Sequence, residues 1–143
     1  MPSNIEKADR VSRARAMTAP FLGLVMLSVQ QWLFFGRDWD RLSPVQLGLW
    51  ALLATAVLLV VLTGGRWLLP RGIRPYVDDE SSRANRMQAI FGGFTAAMVT
   101  LLIVFVVSPF EPIDAQRAAH IVVSIGLGVA LVSFGLVESR GLD

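Results

Sequence analysis

Apolar residues along this chain fall into four long runs, at about 19–36, 45–64, 89–109 and 118–137, with short polar segments between them. Each run is 18 to 21 residues long. A helix rising 1.5 Å per residue needs about 20 residues to cross the hydrocarbon of a bilayer. The pattern therefore predicts an all-α polytopic membrane protein, an antiparallel four-transmembrane-helix bundle. Residues 1–143 form a single membrane domain, and 65–88 is the longest polar connection.

Local signals place the helix ends. Ser43 before Pro44 is N-cap chemistry followed by a proline at the first helical position, and Gly64-Gly65 closes the second run. Pro70, Gly72 and Pro75 interrupt the first half of the long connection. From Asp79 the chain has no breaker, so one helix is expected from about Asp79 to Val107, its first turns protruding from the membrane. Glu111, Pro112 and Asp114 read as the start of the fourth helix, and Glu138-Ser139-Arg140 as its end in water. Residues 1–17 are polar with mixed charge, which suits either a short amphipathic helix on the membrane surface or a free tail. The first run is too long for a signal-peptide core and has no small-residue cleavage pattern, so it is read as a retained span. The second run has no charge and is expected to be the most lipid-exposed. Trp32, Trp39, Trp50 and Trp67 near run ends fit interfacial anchors.

Composition agrees with this reading: 54% of residues are apolar, and the mean hydropathy is +0.57. There is no cysteine, which excludes disulfides, thiolate metal sites and cysteine nucleophiles. A net charge of only +2 argues against a nucleic-acid-binding surface, so no direct nucleic-acid contact is expected. Of thirteen Lys and Arg residues, ten lie in the N-terminal segment, the loop after the second run and the C-terminal tail. Positive residues collect on the cytoplasmic side of membrane proteins, so both termini are expected inside (N-in/C-in).

Membrane helices associate by close backbone approach, so small residues at four-residue spacing matter. Ala89, Gly93 and Ala97 form such a series in the third run. In the fourth, Ser124 pairs with Gly128 and Gly126 with Ala130. These faces predict a tight hairpin between the third and fourth helices; the alternative is that one face pairs two copies as a homodimer.

Candidate chemistry is sparse. An ionisable group within a span is a functional signal by default, yet His120 alone comes near to qualifying. Gln116 lies one turn earlier, and Gln30 and Gln31 end the first run. A ligand site could be drawn from these four, but interhelical hydrogen bonding is the plainer role for His120 and the glutamines. Asp78-Asp79-Glu80 lacks the spacing of a calcium loop and reads as a helix start. No nucleophile–base set and no phosphate-cradling loop is present, so no enzymatic activity, cofactor or metal is expected.

The most distinctive stretch is Val77-Asp-Asp-Glu-Ser-Ser-Arg-Ala-Asn-Arg-Met-Gln-Ala89, followed by Phe91-Gly-Gly-Phe94. It resembles a pattern in small uncharacterised bacterial four-transmembrane-helix proteins often encoded beside helix-turn-helix transcriptional regulators. The match covers about 18 of the 143 residues. It implies a bacterial inner (cytoplasmic) membrane location and a regulatory association, and carries over no active site. The expected function is therefore a non-enzymatic interaction protein, touching membrane lipid and docking a cytoplasmic protein, such as a transcriptional regulator, through 66–87. Asp79, Glu80, Arg83 and Arg86 would carry that docking. The alternatives are a small transporter or ligand-binding bundle, and an accessory subunit of a larger membrane complex.

Overall fold

Capping chemistry and apolar runs translate directly into four helices: α1 (Asn4–Phe34), α2 (Pro44–Thr63), α3 (Glu80–Val107) and α4 (Ala115–Arg140). The computed structural model describes residues 4–34, 43–65 and 80–140. Asp78, Asp79, Trp39, Trp67 and the breakers Pro70, Gly72 and Pro75 lie outside them. Among the described residues, Pro44–Thr63, Ser82–Val107 and Ala115–Ser139 are long and apolar enough to cross a membrane.

The helix ends follow local rules. The Ser43 hydroxyl accepts from Gln46 N, and the Gln46 side chain accepts from Ser43 N, each at 3.2 Å. Pro44 then needs no N–H partner, and Gly64 ends α2 in the left-handed region at φ 63°. At α4, Arg117 N donates to Asp114 Oδ1 at 2.8 Å and Ala118 N to Asp114 O at 3.0 Å. α3 begins at Glu80 and runs unbroken to Val107, about 42 Å at 1.5 Å per residue.

One expectation changes at the helix level. Residues 4–17 are neither a separate surface helix nor a free tail: α1 is one helix of 31 residues that continues through Pro20. A proline inside a helix removes a backbone bond and its ring crowds the preceding turn. Here α4 presents Gly135 to that ring, and a Cβ on Gly135 would collide with Pro20. The uncharged α2 is largely exposed, with 11% of its apolar window buried, and α3 is comparably exposed over its own window, with 6% buried.

α4 is the central helix, with 44% of its window buried. α1 and α3 pack along two sides of it, while α2 touches its neighbours lightly. The pairing is antiparallel on both sides: Leu27 meets Gly128, Gly23 meets Val132 and Pro20 meets Gly135, while Ala97 meets Gly126, Gly93 meets Ala130 and Gly92 meets Ser133. A Cβ on Gly93 would lie 2.6 Å from Gly126 O, and one on Gly23 would lie 2.8 Å from Gly128 O, so only glycine permits either approach. Ser124 and Gly128 were expected to face α3. Gly128 instead lies against Leu27 and Gly23 of α1. At 100° per residue Gly126 and Gly128 point about 200° apart, so one helix cannot present both to the same neighbour. The alternation of small residues therefore gives α4 two contact faces. With α2 antiparallel to α3, the order is up–down–up–down.

Candidate functional site

Three features have chemistry beyond packing: a polar end, an apolar groove and a buried aromatic–histidine contact. The polar end is where α1 and α3 begin and α2 and α4 finish. Asn85 Nδ2 donates to Glu138 Oε2 at 3.3 Å, tying α3 to α4. Glu138 was expected in water but is only 8% exposed. Its position follows from spacing, since His120, Ser124, Leu131, Gly135 and Glu138 recur at three, four or seven residues along one buried face. That signal was present in the sequence, and ending the span at Val137 concealed it.

The residues expected to dock a partner are distributed unevenly. Asp79 lies outside the described residues, and Glu80 opens α3. Arg83 is exposed, while Arg86 is half-buried. The Arg86 guanidinium turns toward the end of α2: Nη1 is 2.7 Å from the point where a Cβ on Gly64 would lie. Nearby, Ser82 is buried. The antiparallel register carries residues 4–14 of α1 past the last turn of α4, and Glu6, Arg10 and Arg13 are exposed there.

The packing residues are placed differently. Ala89 and Ser124 are fully buried, and Gly93 and Ala97 lie against Gly126 and Ala130.

Because α2 stands slightly away from α3 and α4, an apolar groove with a cavity volume of about 500 Å³ opens between them. Trp50 and Leu62 mark its two ends on α2, and Gly93, Ala97, Gly126 and Ala130 lie on its walls. On the other side of α2 a smaller crevice of about 220 Å³ is lined by Arg15, Leu22, Val60, Gly64, Leu131 and Phe134. Val61 borders both.

At the far end, His120 is 2% exposed and its ring packs on Trp50, with centroids 4.9 Å apart and planes tilted by 43°. Ser124 follows one turn later, fully buried, and its Oγ has no hydrogen-bond partner among the described residues. The two are thus not joined as nucleophile and base. Gln116 is exposed, and the side chains of Gln30 and Gln31 lie outside the described residues. Among the described residues, no group of three His, Cys, Asp or Glu side chains could hold a metal ion. No known protein family, curated protein or solved structure matches the chain.

Proposed function

We propose that the chain is a four-span protein of the bacterial inner membrane, N-in/C-in, that docks a cytoplasmic protein at its polar end without performing catalysis. The observation supporting this most directly is that α1 overshoots the bundle at the end where α3 also begins. Its first eleven residues add about 16 Å of helix beyond α4. Glu6, Arg10 and Arg13 on it, together with Arg83 on α3, offer both signs of charge on exposed helix. Alternating charge on a rigid element suits selection of a protein partner by complementarity, and it suits nucleic acid poorly because the acid interrupts the basic positions. The distribution of Lys and Arg supports placing this end in the cytoplasm. The resemblance around Val77–Phe94 favours a transcriptional regulator as the partner.

The test is photo-crosslinking in native membranes from a reactive residue introduced at position 10 or 83. A soluble cytoplasmic protein should be captured. Capture should be lost on Arg10→Glu with Arg13→Glu, and kept with Glu111→Lys at the opposite end. Crosslinks confined to lipid, or to other membrane subunits, overturn the docking reading.

A small ligand-binding bundle is the second reading, favoured by the groove of about 500 Å³, which lies within the range of about 300–1,000 Å³ usual for ligand sites.

A further inference from the structure

We infer that α2 is a movable strap, which swings across the α2–α3–α4 groove and closes it with its own small-residue face. Little holds α2 in place. Along the helix only Ala54 and Val61 are buried. The side-chain hydrogen bonds at Ser43, Gln46 and Thr63 all stay within α2 and its caps. Lipid is as apolar as the helix surface, so packing and polar contacts alone bind such a helix to its neighbours.

Space lies on both flanks. The groove of about 500 Å³ follows α2 from Trp50 to Leu62, and the crevice of about 220 Å³ lies on the other side, with Val61 bordering both. Those twelve residues rise about 18 Å, and a further helix about 10 Å wide would need about 1,400 Å³ over that length. The groove is too small for that, whereas α2 itself can close it by shifting a fraction of a helix diameter.

The two walls suit each other. Ala51, Ala54 and Thr55 of α2 line one side, and Gly93, Ala97 and Ala130 line the other. Small residues on facing membrane helices permit close backbone approach. Here they stand apart because α2 rests on a bulky side chain at each end. At one end the Trp50 ring lies on His120, with centroids 4.9 Å apart. At the other, Arg86 Nη1 is 2.7 Å from the Cβ position of Gly64.

The polar end also supplies a pivot. Gly64 and Gly65 are both left-handed, at φ 63° and 68°. With no Cβ on either residue, the backbone there can rotate as α2 tilts. A swing toward α3 and α4 narrows the groove and widens the crevice, so the helix exchanges one set of contacts for another. Two alternative packings of one element are the basis of a conformational switch. The inference rests on neither the membrane orientation nor the docking proposed above.

Paired cysteines read the closure, since the chain has none of its own. The approaches of Gly64 to Arg86 and of Trp50 to His120 set Thr55 at about the level of Ala97 on the opposite wall. A disulfide needs Cβ atoms about 3.5–4.5 Å apart, so Thr55→Cys with Ala97→Cys should join only when the groove closes. Gly92→Cys with Ser133→Cys is the control, because a Cβ on Gly92 lies 3.5 Å from Ser133 Oγ without any swing. In nanodiscs treated with copper-phenanthroline, the groove pair should join within one chain, more slowly than the control pair. Trp50→Ala or Arg86→Ala, each removing one spacer, should speed the groove pair several-fold and leave the control rate unchanged. Spin labels at exposed Leu52 and Val99 should give two distances, and labels at exposed Phe91 and Leu136 one. A groove pair that never joins while the control does, or a single distance between positions 52 and 99, overturns the proposal. So does a groove disulfide formed only between chains, which would make a second copy the element that closes the groove.

Discussion

Asn85 on α3 donates a hydrogen bond to the buried carboxylate of Glu138 on α4 across 3.3 Å, fifty-three residues apart in the chain. The contact closes the α3–α4 pair at its polar end as the turn at 108–114 closes it at the other. Removing the amide in Asn85→Ala leaves a buried carboxylate without its donor, a cost of about 1–3 kcal/mol. Asn85→Asp should cost more, since it sets two carboxylates face to face. Glu138→Gln, which can still accept, should cost least. Unfolding midpoints in mixed detergent micelles would order the three variants, and equal effects of Asn85→Ala and Asn85→Asp would refute the contact.

The glycines make a second, internally controlled test. Gly23 and Gly128 hold α1 against α4, and Gly93 holds α3 against α4; each would place a Cβ within 3.0 Å of backbone or packed side chain. Gly48 on α2 has nothing within 4 Å. Alanine at the first three should destabilise by about 1–3 kcal/mol through overpacking. Gly48→Ala should be neutral or stabilising by about 0.5–1 kcal/mol, because it only removes backbone freedom. Thermal scans of the four variants would separate packing from helix propensity.

What the sequence revealed was whatever depends on neighbours in the chain. Ser43 with Pro44, Asp114 and Gly64 mark helix ends because capping is settled within four residues. Glu80 opening α3 follows from the breakers just before it. The continuity of α1 was not legible, since Pro20 is tolerated through a glycine 115 positions away that leaves room for its ring. The turning of Arg86 toward Gly64 depends likewise on how α2 leans on α3. Gly126 and Gly128 form an intermediate case: the helical angle between them separates their faces, but which neighbour takes which face is a matter of tertiary arrangement.

Whether α1 crosses the membrane together with the other three helices can be read chemically, because the chain has no cysteine to interfere. Ser12→Cys and Ser139→Cys sit at the polar end, and Ser43→Cys and Ser108→Cys at the other. In intact spheroplasts an impermeant maleimide should label positions 43 and 108, and reach 12 and 139 only after permeabilisation. Labelling of 12 and 43 from the same side would mean that α1 does not span.

Ser124 offers a test of the bundle's interior. Its side chain is fully buried on the face of α4 that carries His120 and Gly128, and its Oγ has no hydrogen-bond partner among the described residues. Hydrocarbon cannot supply a missing partner, so a hydroxyl held there costs about 1–3 kcal/mol. Ser124→Ala keeps the small volume that the α1 face requires and removes the hydroxyl, so it should raise the unfolding free energy by about 1 kcal/mol, read as a higher unfolding midpoint. Ser124→Val keeps the site apolar but adds bulk, and should lose that gain to overpacking. A fall in stability with Ser124→Ala would show that the hydroxyl is satisfied in the membrane and that it binds α4 to a neighbouring polar group. His120→Ala then becomes the discriminating companion, since a shared network would make the two losses non-additive.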